Sequence, residues 1–199
     1  LHLASISSDR VLQHSTIYAL IEIAYPAETR KRGLGDKPSR TVAAALIALD
    51  QMPEGGLKAA DVIPHLSAQD ETLHDAARWI VSHHPEWGGE LTEWLRDQLQ
   101  TLPKRSSDQP PTASEASLEA MLVGFAADKA VQDLLAETAS SLASTRTARE
   151  MALHVMASAK LRNSPEAWAE ALAALIADGD EQSLPLAVEA AGAMPKLAT

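Results

Sequence analysis

The sequence predicts an all-α fold, an α–α superhelix in which similar helical hairpins stack as a solenoid. Alanine and leucine supply most of the apolar content of 46 %, whereas aromatic residues make up only 4 %; this composition favours helices over sheets. No segment shows the alternation of a half-buried strand. Apolar and small residues also recur about every 30 residues, which is typical of a repeated helical unit.

Capping and breaking residues place the helices of the first half. The SSD sequence at 7–9 and Asp70 are N-cap signals, because their side-chain oxygens can accept from free first-turn N–H groups. Pro85 suits the first turn of a new helix. The predicted helices span residues 9–24, 27–33, 39–52, 58–66, 70–84 and 85–102.

Residues 103–117, PKRSSDQPPTASEAS, interrupt the apolar rhythm with proline, serine and charge. We interpret this segment as a linker or long loop. It divides the predicted solenoid into N-terminal repeats at 1–102 and C-terminal repeats at 118–199, stacked as one array of about five hairpins. The predicted helices of the second part span residues 118–126, 129–142, 147–160, 165–177 and 182–194.

The repetition is clearest when the first helices are superposed. In the first three patterns an apolar residue is followed by a small residue three positions later and by an apolar residue or alanine four positions after that. Such a stripe allows a neighbouring helix to approach closely, as in a solenoid of repeats. The alternative to a solenoid is an ordinary bundle whose alanine-rich helices resemble one another by chance. The superposed sets are Leu12, Ser15 and Ala19; Val42, Ala45 and Leu49; Leu73, Ala76 and Ile80; Ala148, Met151 and Val155; and, more weakly, Leu184, Ala187 and Ala191.

Charge and cysteine content exclude several function classes. A net charge of −10 repels a phosphate backbone unless the basic residues are segregated. The absence of cysteine excludes disulfides, thiolate nucleophiles and a CxxCH haem attachment within these 199 residues. The longest apolar run, residues 42–49, is too short to cross a bilayer. We therefore expect neither nucleic acid as a partner nor membrane insertion by this segment.

Familiar catalytic and ligand motifs are not found. Gly33 and Gly35 lack the third glycine and the preceding strand of a dinucleotide loop. The adjacent His83 and His84 point about 100° apart on a helix and suit a helix end better than a shared metal. The carboxylates of residues 86, 90, 93 and 97 form a row along one helix, which is typical of a solvated face. We predict no catalytic, cofactor-binding or metal-binding residue.

A few large or basic side chains are candidates for an interface. Trp87 and Trp94 lie seven residues apart and either fill a junction between repeats or anchor a neighbouring domain. The basic RKR sequence at 30–32 is interpreted as a solvated loop cluster. The other basic candidates lie on the second helices of the repeats. The possible interface residues are Arg40, His74, Arg78, Trp87 and Trp94.

Three stretches, DRVLQHSTIYALIEI, RTVAAALIALDQM and WIVSHHPEW, carry a family resemblance over about residues 9–99. They resemble the HEAT-repeat segment of large exported membrane-bound dehydrogenase and c-type cytochrome-containing proteins of planctomycete- and verrucomicrobia-type bacteria. In that family the segment lies between a dehydrogenase-like β-propeller and a cytochrome domain. Asp70 and Arg149 match the HEAT pattern, whereas His74 stands where arginine is frequent.

The resemblance implies a scaffold in the periplasm or cell envelope, with haem carried elsewhere in the parent protein. Without an initiator Met or a signal-peptide pattern at Leu1, we expect the chain to be a piece of that longer protein. The predicted function is a non-catalytic scaffold or docking segment, without a cofactor of its own, for neighbouring domains or another protein. The alternatives are an independent protein-binding HEAT module and, less favoured, a HEAT-like DNA alkylation glycosylase, which needs a basic concave groove.

Overall fold

The computed structural model describes residues 9–104, 109–180 and 182–195. These residues form eleven α-helices and two short 3₁₀ segments, with no β-strand among them, so the all-α prediction is confirmed. The helices are α1 (Arg10–Ile23), α2 (Pro26–Gly33), α3 (Ser39–Gln51), α4 (Ala59–Val62), α5 (Glu71–Ser82), α6 (Gly88–Gln100), α7 (Ala113–Phe125), α8 (Lys129–Ser140), α9 (Arg146–Ser158), α10 (Glu166–Asp178) and α11 (Leu184–Ala193).

Capping side chains begin several helices where the sequence predicts them. The Asp9 carboxylate accepts from the backbone N–H of Val11 at the start of α1, and Asp70 accepts from that of Leu73 in α5. Ser7 and Ser8 of the predicted cap lie outside the described residues. These bonds satisfy N–H groups that have no partner within the helix.

The first compact unit ends at His84. Helix α3 packs between α1 and α5, while α2 packs on α3 and α4 on α5. Every second helix is therefore a neighbour, as in helical repeats. The buried residues of this unit include Ala45, Leu46, Ala48, Leu49, Val62, Ala77, Ile80 and Val81.

Glycine is required at the turn that ends α3. A Cβ on Gly55 would lie 1.8 Å from the carbonyl oxygen of Leu49, closer than any side chain can pack. The chain can therefore return across the end of α3 only with glycine at this position. This contact is the physical reason for glycine at position 55.

The second compact unit begins at Pro85. One row of packed helices comprises α6, α8 and α10, and a second row comprises α7, α9 and α11. Each helix of the first row also contacts the next helix in the chain, which makes three hairpins. Trp168 on α10 is buried and donates from Nε1 to the carbonyl oxygen of Gln132 on α8 at 3.0 Å.

The unit boundary and the predicted linker differ from the structure. The boundary lies between His84 and Pro85 and not within 103–117, because α6 packs with α7 and α8. Helix α7 also begins at Ala113, within the predicted linker. A capping box explains the early start: Thr112 Oγ1 accepts from the Glu115 N–H at 3.2 Å, and Glu115 Oε2 accepts from the Thr112 N–H at 2.6 Å.

The predicted register of α1 is wrong. Leu12, Ser15 and Ala19 are exposed, whereas the residues that pack against Ala48, Leu49 and Met52 are Ile17, Leu20 and Ile21. The corresponding sets in α3, α5 and α9 are buried as their stripes indicate. The superposition selected the wrong face of α1 because this helix carries apolar side chains on more than one face.

Candidate docking groove

A groove of about 400 Å³ lies on the surface of the first unit, where α1, α3 and α5 stand side by side. Small residues of α3, Ala43 and Ala44, allow the surface to dip between the two outer helices. Apolar lining comes from Ile17, Ile47, Ala76 and Trp79, and polar lining from Gln13, His14, Arg40 and Thr72. The groove is therefore mainly apolar, with polar groups from all three helices.

Trp79 is the largest side chain in the groove lining and remains 42 % exposed. Its ring centroid lies 4.7 Å from that of His83, which follows the end of α5. His83 Nδ1 is also 2.7 Å from the carbonyl oxygen of Trp79. The tryptophan thus has a supported side and an open side, an arrangement that suits a contact residue.

The predicted interface residues are divided between the two units. Arg40 lines the groove, whereas His74 and Arg78 are half-buried on α5 and are not among the lining residues. His74 Nδ1 is 3.4 Å from Asp75 Oδ1. Trp87 and Trp94 belong to the second unit; Trp87 is buried in the 3₁₀ segment Pro85–Trp87, and Trp94 is half-buried on α6.

Sequence reasoning missed Trp79 as a groove residue. This tryptophan lies one helix before Trp87 in the sequence and is not among the predicted interface residues. Its position three residues after Ala76 was the available signal, because both lie on one side of a helix. Only the packing of α5 against α3 shows that this side borders a groove.

The basic cluster at 30–32 is on a helix and not in a loop. Arg30 donates to the Gly56 carbonyl oxygen at 2.8 Å and lies 2.7 Å from the Asp61 carboxylate. Arg32 pairs with Glu28 one helical turn earlier, at 2.6 Å. Two of the three cations thus have carboxylate partners within the unit, which reduces their availability to an outside phosphate.

A second recess, of about 370 Å³, lies within the second unit between α6, α8 and the start of α9. Its charged groups pair with each other, since Arg96 donates to Glu137 at 2.7 Å. This hydrogen bond raises the pKa of Arg96. The Thr138 hydroxyl donates to the Leu134 carbonyl, and Thr145 caps α9. The charged groups and the Thr138 hydroxyl of the recess are thus engaged in hydrogen bonds within the unit.

Among residues 9–104, 109–180 and 182–195, no group of three histidine or carboxylate side chains could hold a metal ion. Burial lowers the pKa of His65, but this side chain lines neither depression. The predicted carboxylate row at 86, 90, 93 and 97 is exposed throughout. Within the same ranges, every helix is too short or too polar to cross a membrane.

Comparison with protein-family models, with curated proteins and with solved structures gave no match.

Proposed function

We propose that this chain is a non-catalytic helical-repeat scaffold whose first unit docks another polypeptide. The observation that carries the proposal is the apolar groove over α3, open to solvent and bordered by the exposed side of Trp79. Exposed apolar grooves in soluble proteins are commonly interaction sites. A groove between two helices accepts the apolar face of a third helix, and polar groups at its edge set the orientation.

The groove offers polar groups that can orient a bound polypeptide. Arg40 and Thr72 belong to different helices and border an apolar surface. Binding of a peptide buries the exposed parts of Ile47 and Trp79 against apolar side chains.

The family resemblance suggests the setting of this scaffold. In that setting the docked polypeptide is a neighbouring domain of a large exported redox protein, and haem is bound by that protein outside this chain. An antibody against the second unit tests the setting in fractionated cells. We expect an envelope-associated band far larger than a protein of 199 residues. A cytosolic band of the size of this chain would contradict the exported parent and favour an independent binding module.

Docking itself is tested by photo-crosslinking in cells that produce the chain naturally. A photoreactive residue replaces Thr72, an exposed residue of the groove wall. The matched control replaces Ala116, an exposed helical residue in the second unit. We expect a defined adduct from position 72 that is absent from position 116 and weakened by Ile47→Glu. The same adducts from both positions, or none from position 72, would refute docking at the groove.

A further inference from the structure

Helix α1 carries a second stripe of exposed side chains, two apolar and two polar, beside the face that packs on α3. Val11 is 73 % exposed and Tyr18 is 65 % exposed, although Ile17, Leu20 and Ile21 of the same helix are packed against α3. His14, which also lines the groove, is exposed between Val11 and Tyr18, and Glu22 is exposed one turn after Tyr18. Residues at 11, 14, 18 and 22 follow one another at helical spacing and form a single stripe. A helix face that exposes large side chains such as Val11 and Tyr18 is a candidate for contact with another chain.

The stripe is symmetric about Tyr18. His14 precedes Tyr18 by one turn and Glu22 follows it by one turn, while Val11 and the exposed Tyr25 lie seven residues away on either side. When two copies of α1 pack antiparallel with Tyr18 on the twofold axis, Tyr18 therefore meets Tyr18 of the other copy. His14 of each copy then lies opposite Glu22 of the other, and Val11 lies opposite the end of the other helix.

We propose that this stripe, Val11–His14–Tyr18–Glu22, is the interface of a symmetric homodimer formed by antiparallel packing of α1. An isologous interface requires a surface that complements itself, and the stripe pairs its imidazole with its carboxylate and its aromatic ring with itself. Tyrosine suits the centre because its ring buries a large area while its hydroxyl keeps a polar partner. Within one copy that partner is already present, since Tyr18 is hydrogen-bonded to Glu22.

Cysteine trapping tests the register, because the chain has no cysteine of its own. Tyr18→Cys places the two new thiols beside the twofold axis, within the short reach of a disulfide. Val11→Cys is the matched control, since antiparallel packing separates its two copies by roughly 20 Å along the helices. We expect rapid oxidation of Tyr18→Cys to a covalent dimer and little from Val11→Cys. Equal crosslinking of the two variants would overturn the proposed register.

Sedimentation of the 199-residue chain tests the dimer itself. We expect a concentration-dependent dimer whose dissociation constant rises at least about tenfold in Tyr18→Glu. The control Leu142→Glu, at a 95 % exposed leucine of the second unit, should leave the dissociation constant unchanged. We expect His14→Glu to weaken the dimer by placing like charges together, and addition of Glu22→Lys to restore it. A monomer at every concentration up to about 1 mM, or a dimer insensitive to Tyr18→Glu, would refute the proposal.

Discussion

His84 Nε2 lies 2.6 Å from Asp50 Oδ1, and this hydrogen bond joins the end of α5 to the end of α3. The Asp50 side chain is only 3 % exposed. Because α3 supplies the floor of the groove and α5 one wall, the pair holds together two of the helices that shape the proposed docking site.

Loss of the histidine partner should destabilise the first unit. In His84→Ala the Asp50 carboxylate stays buried and keeps the Gln51 side chain as a hydrogen-bond donor. A buried polar group that loses a partner costs about 1–3 kcal/mol. We expect urea unfolding to show this loss, whereas His154→Ala, at an exposed histidine of α9, has little effect. Equal stability of the two variants would show that the pair is dispensable.

The small residues of the repeat stripe should be sensitive to size. Ala45 on α3 is completely buried, so Ala45→Leu has to displace a packed neighbour. Such overpacking typically costs about 1–3 kcal/mol. The control is Ala120→Leu on the exposed side of α7, where we expect a change below about 0.5 kcal/mol. Melting followed by circular dichroism distinguishes the two; an unchanged midpoint in Ala45→Leu would contradict tight packing at this stripe.

Two adjacent glycines of the second unit, Gly88 and Gly89, should differ in how well they tolerate replacement by alanine. A Cβ on Gly88 would lie 2.6 Å from the Asp128 Cβ, whereas a Cβ on Gly89 would lie 3.6 Å from Asp128 Oδ2, an ordinary contact. The Asp128 carboxylate also caps α8 by accepting from the Ala130 N–H at 2.8 Å, so it has little freedom to move. We expect Gly88→Ala to lower the free energy of unfolding by about 1–3 kcal/mol and Gly89→Ala to leave it unchanged. Denaturant titration that ranks them in the opposite order would contradict this packing.

One pH effect follows from the loop before α11. The Ser183 hydroxyl donates to Asp180 Oδ2 at 2.8 Å and lowers the pKa of Asp180 below its ordinary 3.8. The backbone N–H of Ser183 also donates to this oxygen, at 3.1 Å. We expect Ser183→Ala to raise the Asp180 pKa towards its ordinary value in a carbon-detected NMR titration. Ser158→Ala, at the exposed last residue of α9, should leave the pKa of Asp180 unchanged.

The sign of the accompanying stability change is fixed by linkage. Because the folded pKa of Asp180 is depressed, the hydroxyl bond stabilises the fold above the unfolded pKa and loses this effect as the pH falls through the folded pKa. The stability difference between the native chain and Ser183→Ala should therefore be largest near neutral pH and shrink in acid. A difference that grew in acid would contradict this assignment.

Local sequence signals predicted the helices well where they were unambiguous. Asp9 and Asp70 cap α1 and α5 as their positions indicate. The same kind of signal was present at Thr112 and Glu115, but the surrounding prolines and serines favoured a linker, and the start of α7 was placed too late. In α1 the pattern itself was ambiguous, because Leu12 and Ala19 form a stripe that competes with the packed Ile17 and Ile21.

The candidate site depended on information that no local pattern contains. The groove exists because Ala43 and Ala44 lie between α1 and α5, and the order of those three helices in space is a long-range property. Sequence reasoning included Arg40 and omitted Trp79 for that reason. It also grouped Trp87 and Trp94 with Arg40, although the structure assigns these tryptophans to the second unit.

The most direct measurement for the docking claim is the maleimide labelling rate of Thr72→Cys, a unique thiol in a chain without cysteine. The rate is compared between the purified chain and a native extract of the cells that produce it, with Ala116→Cys as the reference. Docking predicts that the groove thiol is protected in the extract and reactive after purification, while the reference thiol reacts alike in both. Equal reactivity of Thr72→Cys in the two samples would contradict a protein-docking role for the groove.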